Sequence, residues 1–226
     1  MTNLTGPERA AASGPADSLV VFLHGYGADG NDLIGLAEPL APYLPHTRFL
    51  APNAPDRCPG NPAGFQWFPI PWLDGTPEAL ARVAAERAFG LLDRWLDDLE
   101  AQGIGPERTV LVGFSQGTMM ALHVGLRRRR ALAGIVGFSG RLLEPERLAA
   151  EAGAAPPVLL IHGDADPVVP FASLAEAADV LAAAGIETYT HVSPGVGHGI
   201  APDGLGLALS FIRQRLGIEG GAQDGA

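Results

Sequence analysis

The stretch VLVGFSQGTMMAL, Val110 to Leu122, decides how the chain folds. Thr109 to Gly113 is apolar, small and rich in β-branching, and reads as a buried strand. It runs straight into Gly113-Phe114-Ser115-Gln116-Gly117, and then into apolar positions at Met119, Met120, Leu122, Val124 and Leu126 with helical spacing. The pattern is therefore strand, sharp turn, helix. A serine at the apex of such a turn is forced into a strained backbone conformation. The residues two before and two after it must lack a β-carbon so that strand and helix can pass closely; Gly113 and Gly117 meet that need. The hydroxyl of Ser115 is then presented above the carboxyl end of a sheet, as a nucleophile would be.

Working outward, the same alternation of short apolar strands and amphipathic helices continues. Ser18 to Leu23 reads as a strand, followed by the glycine-rich loop His24 to Gly30 and a helix from about Asn31 to Leu40. Thr47 to Ala51 is a short strand. A long helix opens at Thr76-Pro77-Glu78, with a capping hydroxyl and a proline at the first position. It carries Leu80, Ala84, Ala88, Leu91, Trp95 and Leu99 as its core-facing stripe and stops at Gly103. Further strands follow at Ala133 to Phe138, Pro157 to Ile161 and Glu187 to Val192, with helices from about Ser173 to Ala184 and Asp203 to Leu216. Strands alternating with helices imply one mostly parallel α/β sheet covered on both faces, in a single domain over residues 17–216. Residues 1–16 and 217–226 read as a flexible arm and tail, and no insertion is long enough for a large lid domain.

Composition excludes several functions. The chain has 226 residues and a formal net charge of −10, which disfavours nucleic acid and anionic membranes as partners. Its one local exception, Arg127 to Arg130, closes the helix after Ser115 and reads as a solvated helix end, with a docking patch as the alternative. Apolar runs are only strand-sized, so no transmembrane helix is expected. No apolar run of signal-peptide length opens the chain, and the lone Cys58 has no disulfide partner and reads as an incidental loop thiol; a cytoplasmic location is the expectation. No paired CxxC or HExxH suggests a metal, and the glycine loops lack both G-K-[ST] and the dinucleotide spacing, so no cofactor is expected.

A serine needs a base, and a histidine oriented by a carboxylate is the usual one. Catalytic groups in such sheets stand at the carboxyl ends of strands, which leaves His24, His162 and His198 of the six histidines. The chain order nucleophile, acid, histidine selects Ser115, Asp166 and His198, with His24 and His162 as structural residues at strand ends. Asp164 competes with Asp166, but Pro167 holds Asp166 extended, whereas Asp164 is placed to cap its own turn. The elbow geometry makes the N–H of Gln116 an oxyanion donor, and the loop after the first strand can supply another. Pro52 to Pro77 has seven prolines with Phe65, Trp67, Phe68 and Trp72; it reads either as an apolar wall beside the site or as a cluster packed under its own loop.

FLHGYGADG, GFSQG, HGDADPVVP and GVGHGI, in this order, resemble the small α/β-hydrolase carboxylesterases of the phospholipase/carboxylesterase group, which include the acyl-protein thioesterases. The resemblance runs from Leu19 to Leu216. It implies Ser115 as nucleophile, Asp166 as acid, His198 as base, and the N–H groups of Tyr26 and Gln116 as the oxyanion hole. It also makes the Trp67-Phe68 stretch a pocket segment and suggests a homodimer. The expected activity is hydrolysis of short-to-medium acyl esters, with thioester or lysophospholipid hydrolysis by the same residues as the alternative, and a non-catalytic binding module as the alternative of another class. Two positions depart from the family pattern: Tyr26 stands where leucine is common and would alter the acyl pocket, and Thr118 replaces a further glycine.

Overall fold

The computed structural model describes residues 4–218. Among the described residues there are nine strands and eight α-helices. The strands are β1 (Glu8–Arg9), β2 (Ser18–Leu23), β3 (Thr47–Leu50), β4 (Asp56–Cys58), β5 (Asn61–Gln66), β6 (Thr109–Phe114), β7 (Gly134–Phe138), β8 (Val158–Gly163) and β9 (Thr188–Ser193). The helices are α1 (Gly30–Ile34), α2 (Ala37–Leu40), α3 (Pro71–Asp74), α4 (Glu78–Glu100), α5 (Gln116–Gly125), α6 (Pro145–Glu151), α7 (Ala172–Ala183) and α8 (Pro202–Arg215). Seven strands form one sheet in the order β1-β3-β2-β6-β7-β8-β9, in which only β1 runs antiparallel. The small hairpin β4–β5 stands apart from it.

Successive strand residues divide between two cores, as a sheet covered on both faces requires. Leu19, Val21, Leu23, Leu111 and Leu160 pack with residues of α4, α5 and α7, whereas Val20, Phe22, Val110, Val112, Val136 and Ile161 pack with α1, α2 and α8. The chain moves from β2 to β3 on one side and later to β6 on the other. The loops after β2 and β6 therefore diverge from a point of strand-order reversal, the crevice where open α/β sheets bind ligands.

Several local readings are corrected. Of the expected arm over 1–16, residues 1–3 lie outside the described residues, and the rest is tied down: Leu4 is buried and Glu8–Arg9 pairs with Phe49 and Leu50, while Ala51 and Asn53 donate backbone hydrogen bonds to Pro7 and Thr5. A two-residue strand among Gly and Pro has no periodicity to read; what recruits it is the open edge of β3. Of the tail, Gly217 and Ile218 close α8, and the rest lies outside the described residues. The helix expected over 31–40 is two pieces, because Pro39 has no N–H to donate to Gly35 and the hydrogen-bond ladder restarts. In α4 no side chain caps the first turn, so the Thr76 hydroxyl does not play that role. The fully buried stripe of α4 is Ala81, Ala88, Phe89, Leu92, Leu96 and Leu99; of the expected stripe Ala88 and Leu99 belong to it, Ala84, Leu91 and Trp95 are half-buried against the same core, and Leu80 is 61% exposed. Cys58 lies buried in β4 rather than in a loop.

The arginine run divides: Arg129 and Arg130 are exposed, as a solvated end would be, whereas Arg127 and Arg128 are not. Arg128 is buried and bridges Asp93 at 2.5 Å and Asp97 at 2.7 Å on α4, Arg127 holds Glu151 at 2.8 Å, and Arg130 pairs with Glu100 and Glu107. These guanidinium forks tie the end of α5 to α4 and α6.

His123, on α5 facing α4, lies against Phe89 with ring centroids 3.6 Å apart and 13° between planes. Burial first, and then the nearby Arg127 charge, push its pKa down to about 4. The unfolded chain takes up this proton near 6.5 and the folded chain only near 4, so stability present at neutral pH is lost as the pH falls through that window. His123→Phe keeps an aromatic stack without a titrating group. Urea unfolding at pH 7 and pH 4.5 should show the wild type losing about 2–3 kcal/mol more than the variant on acidification; equal losses would remove His123 from the acid sensitivity.

Candidate active site

Ser115 occupies the turn between β6 and α5 with φ 54° and ψ −116°, a left-handed conformation that a non-glycine residue adopts only when its surroundings force it. The force is close packing. A β-carbon on Gly117 would lie 1.8 Å from the carbonyl oxygen of Leu23, and one on Gly113 would lie 2.4 Å from the N–H nitrogen of Thr118. Both glycines are thus required by the approach of α5 to β2 and to its own strand. Ser139 at the end of β7 has the same left-handed backbone, φ 48°, but it is buried and its Oγ has no partner among the described residues.

Asp166, after β8, is the hub of the neighbouring loops. Its side chain has no solvent exposure; Oδ2 receives Nδ1 of His198 at 2.7 Å and lies 3.3 Å from Nε2 of His162, and Oδ1 accepts the N–H groups of Val168 and Val169 at 2.8 and 3.0 Å. Burial by itself would raise its pKa, but the hydrogen bonds from His198, Val168 and Val169 outweigh it and hold the carboxylate below its ordinary value. With Nδ1–H donated to Asp166, His198 keeps Nε2 as the free lone pair. Its ring rests 4.9 Å from that of Phe114, the residue before Ser115, so the histidine stands at the carboxyl end of β6. Asp164 is turned elsewhere: its Oδ1 accepts the N–H of Gly195 at 2.6 Å and anchors the loop that carries His198.

The loop after β2 closes the other side. A β-carbon on Gly25 would come within 3.3 Å of Cβ of Ser115, which places this loop directly over the turn. Gly27 and Phe65 exchange backbone contacts with the hairpin (Gly27 N–H to Phe65 O, 2.8 Å; Phe65 N–H to Ala28 O, 2.8 Å), and Asn61 Nδ2 donates to the Gly27 carbonyl at 2.8 Å. The Tyr26 N–H donates to no acceptor among the described residues. The Gln116 N–H, first in α5, has no intrahelical acceptor available. The Tyr26 hydroxyl donates to Asp74 at 3.3 Å, and burial followed by the proximity of Cys58 and Asp74 raises its pKa. His24 and His162 are held at strand ends, His24 by Gly25 O and the Ala54 N–H, His162 by Val169 O at 3.1 Å.

The four aromatic residues separate. Phe68 and Trp72 line a cavity of about 210 Å³ together with Ile70, Ala85, Phe89 and Met119. Trp67 is completely buried behind it, with Nε1 donating to His24 O at 3.0 Å, and Phe65 sits under the Arg57 guanidinium at 4.1 Å. What sequence reasoning missed is the clamp between this segment and the turn at Ser115: the Gln116 amide accepts the Trp67 N–H at 2.9 Å and donates to Phe68 O at 2.8 Å. Nothing in the spacing of the chain announces that pair. Thr118 is accommodated by glycines elsewhere, since β-carbons on Gly137 or Gly140 would meet its side chain at 2.5 and 2.4 Å, and its hydroxyl reaches the carbonyls of Gly113 and Phe138, both at 2.8 Å.

Gln116→Ala leaves a buried N–H and a buried carbonyl unpaired and should cost about 2–4 kcal/mol in urea unfolding. Amide exchange at Trp67 should rise selectively; unchanged protection there would show that the strap is held by other contacts.

The phospholipase/carboxylesterase family pattern matches residues 5–216. Acyl-protein thioesterase 1 from Gibberella zeae is 32% identical over 217 residues, covering 87% of this chain and 90% of that protein. Esterase YpfH from Escherichia coli is 28% identical over 204 residues, covering 89% of this chain and 84% of that protein. Among solved structures, that of esterase PE8 superimposes with a TM-score of 0.89 at 52% identity, covering 94% of this chain and 99% of that one. With a family match that spans nearly the whole α/β-hydrolase domain, the chain belongs to the phospholipase/carboxylesterase family.

Proposed function

We propose that this member of a carboxylic ester hydrolase family is a serine carboxylesterase for short-to-medium acyl esters, working through an acyl-enzyme. The observation that carries the reading is the 2.7 Å bond from His198 to Asp166 beside a serine in a forced left-handed turn. Ser115 Oγ attacks the ester carbonyl as His198 Nε2 takes its proton. Asp166 keeps the proton on Nδ1 and stabilises the imidazolium. The N–H groups of Tyr26 and Gln116 receive the oxyanion, and His198 then returns the proton to the leaving alcohol. Water repeats the sequence on the acyl-enzyme and releases the acid. Each acyl methylene placed in the cavity of about 210 Å³ adds about 0.8 kcal/mol until the space is filled, which favours acyl groups of limited length. Thioesters fit the same machinery, and the name of the Gibberella zeae relative supports that extension. A homodimer and a cytoplasmic location complete the proposal; among the described residues no helix is long and apolar enough to cross a membrane.

A fluorophosphonate probe should label the wild type at one site, and Ser115→Ala should abolish labelling, because only an activated serine attacks phosphorus quickly. Adduct at Ser139 in the variant would relocate the nucleophile, and a wild type that never labels would favour a binding module. Asp166→Asn should lower turnover by a factor on the order of 10⁴, while Asp164→Asn, which loosens only the Gly195 anchor, should cost far less. The reverse ranking in steady-state rates would assign the acid to Asp164.

A further inference from the structure

The cavity lined by Phe68 and Trp72 joins an apolar interior to four charged side chains. Its interior is built by Phe68, Ile70, Ala85, Phe89, Met119 and Leu143, and Met119 stands one helical turn beyond the Ser115 elbow. Four charged residues also line it: Arg82, Glu86, Arg141 and Glu144. The two acids are already engaged. Arg147 holds Glu144 at 2.8 Å and approaches Glu86 at 3.7 Å. Neither Arg82 nor Arg141 lies within ion-pair distance of a carboxylate among the described residues. Arg141 is instead placed over the indole of Trp72, 5.4 Å from the ring centre, and Trp72 is 71% exposed. An aromatic face orients a guanidinium without neutralising it or using up its N–H donors.

A plain hydrocarbon acyl chain needs no cation, yet in a chain of net charge −10 two guanidinium groups without a carboxylate partner among the described residues line this otherwise apolar cavity. We infer that Arg82 and Arg141 read an anionic group, such as a carboxylate or sulfonate, tethered to the hydrocarbon part of the substrate. The inference rests on the esterase reading, with this cavity as the hydrocarbon site. The anion is carried either at the far end of the acyl chain or on the alcohol. In both cases the apolar chamber takes the hydrocarbon and the guanidinium fork takes the charge.

The test compares kcat/KM for matched esters in the wild type, the Arg82→Gln/Arg141→Gln double variant and the Arg82→Lys/Arg141→Lys double variant. One arm sets the p-nitrophenyl monoesters of adipic and suberic acid against p-nitrophenyl hexanoate and octanoate. The other sets 4-butyryloxybenzoate against 4-butyryloxybenzamide. The wild type should favour the anionic partner about tenfold in one arm, mainly through KM, and the preference should shrink as salt is raised. That arm identifies which part of the substrate carries the charge. Glutamine should bring the ratio to about one, and lysine should retain much of it. A wild-type ratio near one in both arms, or a ratio indifferent to the glutamine pair, overturns the inference while leaving the esterase intact. Failure of every ester would count against the esterase itself. The rim is then read by calorimetric titration of the Ser115→Ala protein with octanoate and octanamide. Tighter octanoate binding that disappears with the glutamine pair supports the anion site, and equal binding overturns it.

Discussion

The contact on which the rest of the structure depends is the approach of the Gly113–Gly117 turn to the end of β2. With less than 2 Å between an imagined β-carbon at Gly117 and the Leu23 carbonyl, α5 can lie where it does only because that carbon is missing. The same approach pushes Ser115 into the left-handed region, and the strain is held by two faces of a sheet whose strands are buried on both sides. Once α5 is seated, the loop after β2 must pass over Ser115, with Gly25 almost touching its Cβ. A nucleophile-like hydroxyl and the N–H groups around it are thus products of one steric constraint.

Asp166 plays the corresponding part for the loops after β8 and β9. A carboxylate removed from solvent is stable only if its lone pairs are filled, and here two backbone N–H groups and His198 fill them, with His162 at 3.3 Å. Asp164 and Asp203 brace the same loop from outside. Asp164 takes the Gly195 N–H, and Asp203 takes the Ser193 hydroxyl at 2.9 Å and His191 at 2.7 Å. Three carboxylates thereby hold one glycine-rich loop in place, which gives a precise position to a histidine that the loop's own sequence would leave free.

The segment from Pro52 to Pro77 shows how a stretch without periodicity acquires order. Its hairpin binds the loop after β2, its Trp67–Phe68 backbone is clamped by Gln116, and its helix α3 is tied to Tyr26 through Asp74. Every one of these partners lies outside the segment. The cavity wall is therefore assembled from residues that ignore their own local sequence, and only Phe68 and Trp72 of the four aromatics reach it.

Strands β2, β3 and β6 to β9, helices α4, α5, α7 and α8, and the candidate positions Ser115, Asp166 and His198 were legible in the sequence because they follow from local rules, whereas β1, the β4–β5 hairpin, α3 and α6 were not. Strand and helix periods, glycines at the turn, and the order Ser115, Asp166, His198 are written along the chain, and the strained turn at Ser115 could be read from five consecutive residues. Boundaries moved by one or two residues, and in α4 only Leu80 left the expected stripe while Phe89, Leu92 and Leu96 joined it, because an Ala- and Leu-rich helix offers a broad apolar surface and the packing against α5 decides which part turns inward. The pairing of Glu8–Arg9 with β3, the engagement of Arg128 by Asp93 and Asp97, the Gln116 clamp and the cavity that separates Phe68 from Trp67 were decided by the tertiary structure alone. The first three join groups about thirty or more residues apart, and no local preference records which distant hydrogen-bond donor, charge or apolar face will satisfy a given one.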